Sequence, residues 1–343
     1  MAEDHPRRIR AAAIQLEAEV GDVATNLARI ERLVSDAAGD GARLIAVPEF
    51  CTSRLPMDAR AHQAVLPPDN AALALFRRLA ARHQCWIGGS MLIADGGEIY
   101  NRYHFVEPDG SLHCHDKDLP TMWEGAFYAP GQDDGAFRTG LGGVGAAVCW
   151  ELIRSGTVRR LRGRIDVAMT GTHWWTIPDN WGPATGALRA LGRLNRRLSQ
   201  QAPAEFARRL GVPVLQASHC GSFRGDFMLL PGLAASLPYD SEFVGCTQIV
   251  DADGTVLARR DTREGPGIVS ADITLGARAP LLPPGDDFWL PDLPLAMRAY
   301  WHQQNACGKS WYRRHGRAAG LAAAARHADS DTQTTHNKKG DTP

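Results

Sequence analysis

Gly143-Val144-Gly145-Ala146-Ala147-Val148-Cys149-Trp150-Glu151 is the stretch on which the reading of this chain turns. It begins as a small apolar run, as a strand buried on both faces would, and continues into a charged, helix-compatible segment at 151–162. A thiol at such a strand-to-helix corner sits on a sharp turn beside the N–H groups of a helix N-terminus, which favour a thiolate. An isolated cysteine is more often a small structural hydrophobe. Two other segments change that balance. Val47-Pro48-Glu49-Phe50 places a carboxylate directly after an apolar strand, and His115-Asp116-Lys117 places an amine after another. Singly, these read as a solvated capping acid and a surface lysine; at strand ends, together with Cys149, they read as one set.

Working outward, 9–16 reads as a strand, and Asp22 after Gly21 can cap a helix carrying Leu27, Ile30, Leu33, Val34 and Ala37 at helical spacing. Residues 44–47 form a short buried strand, 71–83 a helix and 85–91 a strand. Residues 100–106 and 111–117 flank Pro108-Asp109-Gly110, a hairpin signal. The second half repeats this order: strand 144–149, helix 151–161, strand 165–170, a long helical segment 183–210, strand 212–217, then 245–251 and 255–260 about Asp253-Gly254. Even the hairpins share wording, Val106-Glu107-Pro108-Asp109-Gly110-Ser111 against Val250-Asp251-Ala252-Asp253-Gly254-Thr255. A duplicated α/β unit follows, with helices on one face of each sheet and the other faces packed together.

These segments together resemble the nitrilase superfamily of carbon–nitrogen hydrolases, over roughly residues 9–275. Glu49 matches that family's general base, Lys117 its catalytic lysine and Cys149 its nucleophile, in the family's order and at similar spacing. Glu124, after Pro120-Thr121, fits the place of the second family glutamate, and 128–131, from Tyr128 to Gly131, resembles the Y-x-P-G-like stretch of its amidases. The resemblance implies a four-layer α-β-β-α sandwich with internal pseudo-duplication, and a site that uses neither metal nor cofactor. Two residues depart from the family pattern: Asp118 stands where an apolar residue is common, and Gly125 where an arginine is frequent.

Breaking an unactivated C–N bond needs a nucleophile better than water, a proton donor for the leaving nitrogen and charge stabilisation for the intermediate. Cys149 would supply the first. Glu49 would take its proton and later activate water, which requires a pKa raised by a closed apolar pocket and by Glu124. Lys117 would face the oxyanion with the backbone N–H of Trp150, and Glu124 would position Lys117 or the substrate amide. The expected function is hydrolysis of a carboxamide or carbamoyl group to acid and ammonia through a Cys149 acyl-enzyme. A nitrilase, forming a thioimidate first, is the alternative, since Lys117-x-x-Pro120-Thr121 and Cys149-Trp150-Glu151 fit nitrilases. A non-catalytic binding protein on the same fold is a third reading, which the complete set of acid, amine and thiol opposes.

His173-Trp174-Trp175 follow the strand 165–170 and should emerge at the edge that carries Cys149, with the tryptophans as an apolar wall for substrate. Trp150, His173 and Tyr128 are the further substrate-side candidates. Ser218-His219-Cys220 lies just past a strand and fits a pocket or a structural role equally. His113-Cys114-His115 places two imidazoles on one strand face without an evident third ligand, so no metal is expected.

Lys plus Arg and Asp plus Glu are 38 each in 343 residues, so no global field recruits nucleic acid or anionic membrane. No run approaches the roughly twenty apolar residues that span a bilayer. Residues 1–10 are charged and lack the apolar core of a signal peptide, and seven irregularly spaced cysteines fit a reducing compartment. The expectation is a cytoplasmic homodimer or higher homo-oligomer acting on a small-molecule amide or nitrile. Its domain plan is a hydrolase domain at 8–275, with a helical insertion at about 176–210. A C-terminal extension at 276–315, rich in Trp289, Tyr300, Trp301 and Trp311, packs on a neighbouring subunit or on its own core. The Ala-rich, then polar tail 316–343 is expected to be disordered.

Overall fold

A computed structural model describes residues 7–340 except 179, 182–183 and 229–235. Its layering is set residue by residue in β1 (Arg8–Leu16), since alternate strand residues point to opposite faces. Ala12, Ile14 and Leu16 pack into one core with α1 (Val23–Gly39) and α2 (Ala71–His83), while Ala11 and Ala13 join a second core with Val144 and Ala146. In β2 (Leu44–Ala46), Ile45 faces the helices and Leu44 and Ala46 face inward. Small inward side chains let two sheets approach closely. Asp22 caps α1 as read, accepting from Thr25 N at 3.0 Å.

The first half continues through β3 (Trp86–Asp95), β4 (Glu98–Val106) and β5 (Leu112–Asp116). β1, β2 and β3 pair in parallel, and β3, β4 and β5 antiparallel. The second half opens with β6 (Ala136–Thr139), β7 (Gly142–Ala146), α3 (Ser155–Leu161), β8 (Val167–Thr172), α4 (Ala184–Leu210) and β9 (Val214–His219). After a ribbon of β10 (Ser222–Met228) and β11 (Ser236–Glu242) come β12 (Gly245–Val250), β13 (Val256–Asp261) and β14 (Gly267–Thr274). β7, β8 and β9 are parallel, and β9, β12 and β13 antiparallel, so the pairing of the first half recurs and the two similarly worded hairpins occupy equivalent places. The halves join where Gln15 and Leu16 of β1 run beside Ser218 and His219 of β9. The result is the expected α/β sandwich, with α1 and α2 outside one sheet and α3 and α4 outside the other.

Two expectations fail in instructive ways. The helix read at 151–161 is a 3₁₀ turn, Cys149–Ile153, followed by the short α3, because Glu151 is buried rather than on a solvated face. The tail read as disordered from 316 continues from α5 (Leu295–Trp311) through a π turn at Tyr312–Gly316 into α6 (Arg317–Gly340). Alanine is the strongest helix former, and here Ala323 and Ala324 are buried while Tyr312 OH accepts from Ile99 N at 2.9 Å. The extension therefore packs on its own chain. Among the described residues no helix is long and apolar enough to cross a membrane.

Candidate active site

Parallel strands deliver their C-terminal ends to one edge of each sheet, and the chemistry-bearing residues follow those ends. Glu49 lies past β2, His173 past β8 and Cys149 past β7, while Lys117 immediately follows β5 and Glu124 sits on a 3₁₀ turn, Met122–Ala126. The sheets meet tightly here. A Cβ on Gly171 of β8 would fall 2.3 Å from Glu49 N, so only glycine lets the two backbones approach this far. Phe50, Met122 and Cys149 hold left-handed φ values of 49°, 53° and 55°. Such conformations cost non-glycine residues about 1–3 kcal/mol each and persist where the surroundings over-determine them. All three flank or form the candidate site.

Lys117 Nζ bridges the two acids, donating to Glu49 Oε1 at 3.0 Å and to Glu124 Oε2 at 2.8 Å. Asn101 Nδ2 donates to Glu49 Oε1 at 2.8 Å and the His173 backbone N–H to Oε2 at 2.8 Å. His219 Nε2, necessarily the donor, reaches the Glu49 carbonyl at 2.6 Å. Glu124 is fixed by Thr121 N at 2.9 Å and by the Tyr128 hydroxyl. Burial raises the Glu49 pKa against the pull of Lys117, and Glu124 adds to the rise. Burial opposes the charge on Lys117, but Glu124 and Glu49 outweigh it and hold the ammonium well above its usual range. Burial, then Glu49, pushes the Cys149 thiol well above the usual thiol range. The resting cysteine is thus a thiol facing a carboxylate, not the thiolate expected from a helix N-terminus. The set can pass one proton from sulfur to Glu49 beside a fixed ammonium.

Cys149 and Glu124 open into a cavity of about 330 Å³. Trp150, His173, Trp174 and Trp175 line it. Trp150 packs on Trp174 at 5.7 Å between ring centroids and edge-on to Trp289 at 5.5 Å. Tyr128 does not line the cavity; it is buried behind it and holds Glu124. The long helix α4 contributes Leu188, Leu191 and Asn195, and α5 contributes Met297 and Tyr300.

A profile described as carbon-nitrogen hydrolase matches residues 10–281. The chain belongs to the carbon–nitrogen hydrolase family. An omega-amidase of Danio rerio is 30% identical over 156 residues, 42% of this chain and 56% of that protein, so the match spans about half of the relative. A bifunctional nitrilase/nitrile hydratase of Lupinus angustifolius is 24% identical over 297 residues, 78% of each chain. Among solved structures, a CN-hydrolase superfamily protein of Xanthomonas campestris superposes with TM-score 0.59 at 19% identity, covering 78% of this chain and 91% of its own. A double mutant of the amidase from Nesterenkonia sp. AN1 in complex with acrylamide gives TM-score 0.54 at 17% identity, covering 79% and 93%. At such identities these structures establish the fold alone.

In this carbon–nitrogen hydrolase the 149–153 turn rests on a network of buried and half-buried charges. Glu151 Oε2 accepts from Val148 N at 2.6 Å and from His115 Nε2 at 2.9 Å, and Oε1 from Arg160 Nη2 at 2.5 Å. Asp118, the departure from the family pattern, receives Arg154 and Arg160 and so belongs to this brace. The two histidines weighed for metal are otherwise engaged: His113 pairs with Glu107 at 2.8 Å, and His115 lies between Asp133 and Glu151. The site residue that sequence reading missed is Asn101; His219, read as fitting a pocket or a structural role equally, holds the Glu49 carbonyl. The only signal for Asn101 is an amide within the β4 strand, which is weak.

Glu151→Gln is expected to destabilise the fold by about 3–5 kcal/mol, the usual cost of removing one partner of a buried ion pair. Burial disfavours the His115 charge, yet Glu151 and Asp133 raise its pKa to about 10. A raised folded-state value gives stability that is complete below the unfolded value near 6.5 and is lost as pH climbs towards about 10. Denaturant titrations at pH 6 and pH 10 should show this alkaline loss in the native protein and a flatter dependence in Glu151→Gln. A loss of under 1 kcal/mol at pH 6 would reduce Glu151 to a bystander.

Proposed function

We propose that the chain hydrolyses a carboxamide to the acid and ammonia through a thioester on Cys149. The observation that carries this reading is one ammonium, Lys117, held between two buried carboxylates at the end of the cavity where Cys149 opens. Glu49 takes the thiol proton as sulfur adds to the amide carbon, and the new oxyanion faces Lys117 and the Trp150 N–H. The protonated Glu49 passes its proton to nitrogen, the C–N bond breaks and ammonia leaves. Glu49 then takes a proton from water, the hydroxide adds to the thioester, and collapse releases the acid while sulfur regains the proton. A nitrile is the second reading, supported by the printed activity of the Lupinus angustifolius relative; it would form a thioimidate of different mass.

The test is ammonia release from matched amides and nitriles, with intact-mass and peptide mapping under a slow substrate. An acyl adduct is expected on Cys149 and on none of the other six cysteines. An adduct elsewhere, with ammonia release preserved in Cys149→Ala, would remove the reading.

A further inference from the structure

Resting on that reading, we infer that the site selects amides whose acyl group is bulky, uncharged and apolar, and that the helices α4 and α5 impose this choice. Leu188, Leu191 and Asn195 present one face of α4 to the cavity, at helical spacing. The α4 arginines belong to a different stripe: Arg196 pairs with Glu242 at 2.7 Å, and Arg189 and Arg193 are exposed. From the other side α5 presents Met297 and Tyr300.

What the walls lack in charge decides the substrate class. Glu124 is the sole charged lining side chain among the described residues, and it shares the Lys117 ammonium with Glu49. Asn195 is spent at both ends: Oδ1 accepts from Trp174 Nε1 at 2.7 Å, and Nδ2 donates to the Trp175 carbonyl at 2.7 Å. His173 Nε2 accepts from Leu55 N at 3.1 Å, and its ring is buried and held neutral, with burial the leading cause. Thr121 Oγ1 and His173 Nδ1 are buried there without a hydrogen-bond partner, but both are uncharged, so a carboxylate or ammonium on the acyl chain would be desolvated without an opposite charge. An aromatic or branched apolar group would instead meet the Trp150 and Trp174 rings and the α4 leucines.

The α5 wall is fixed rather than a flap. A Cβ on Gly308 would fall 2.9 Å from the Gly125 carbonyl carbon, so the helix lies directly on the turn that carries Glu124.

The experiment measures kcat/KM by ammonia release for propionamide, 3-phenylpropionamide and succinamate, which differ in the group beyond the amide. The phenyl compound should exceed propionamide by about 10- to 100-fold, as burial of one aromatic side chain implies, and succinamate should fall below propionamide. Leu191→Arg, which brings a cation to the cavity wall, should raise succinamate relative to 3-phenylpropionamide by at least about 10-fold. Succinamate or propionamide as the best Cys149-dependent substrate would overturn the inference while leaving the hydrolase reading intact. Calorimetric binding of the same compounds to Cys149→Ala separates the two: tighter binding of the phenyl compound supports the inference without any turnover, and equal affinities overturn it.

Discussion

Cys149→Ala is expected to abolish turnover, by about 10⁴- to 10⁶-fold, the range for removing a covalent nucleophile from a working set. None of the other six cysteines lines the cavity. Cys51, Cys220 and Cys246 have thiols pushed to about 12 and Cys85 to about 11, mainly by burial. The fold should survive, because alanine removes one small group from a backbone whose shape is set by Glu151 accepting from Val148 N. Alanine also keeps the left-handed strain at φ 55°, whereas glycine would relieve it. Cys149→Gly should therefore be as inactive as the alanine variant, yet unfold at an equal or higher temperature. Turnover near the native rate in either variant would remove Cys149 from the chemistry; a collapsed fold in both would make it a packing residue.

How much of this was legible follows from which interactions are local. β2 and β7 are buried on both faces, so they read as unbroken apolar runs, and the residue after each run stands at a sheet end by geometry alone. Glu49, Cys149 and the His173-Trp174-Trp175 segment were therefore readable. Glu151 was not, because a charged residue opening an amphipathic stretch looks like a solvated helix start. Only the fold brings His115 and Arg160 to it. Tyr128 was placed on the substrate side because motif proximity cannot tell which way a side chain faces. The helical period of 183–210 predicted α4 well, but nothing in a period names the surface that the helix covers. β14 went unread since its partner, β1, is some 260 residues away and its burial alternates only weakly.

Glu49→Gln is expected to lower kcat by about 10²- to 10⁴-fold or more, the usual value of a positioned general base, with the upper end favoured because two steps use this carboxylate. The substitution is not a neutral isostere here. Glu49 accepts from Lys117 and Asn101 at Oε1 and from the His173 N–H at Oε2, so every neighbour is a donor. A glutamine must turn its amide nitrogen towards one of those donors, leaving that donor unpaired in a buried site. The pH profile separates this packing cost from loss of the base. On the proposed mechanism turnover uses the ionised carboxylate, whose pKa burial has raised, so kcat/KM is expected to fall with acidification at a pH above the ordinary carboxylate range. Lys117, held well above its usual value, imposes no alkaline fall near neutrality. In Glu49→Gln the acidic inflection should vanish. The residual rate should then climb steadily with pH, because only hydroxide remains to ionise a thiol whose pKa burial has pushed up. An unchanged acidic inflection in the variant would assign the base to another group, and Glu49 would then be a support for Lys117 rather than the acceptor of the thiol proton.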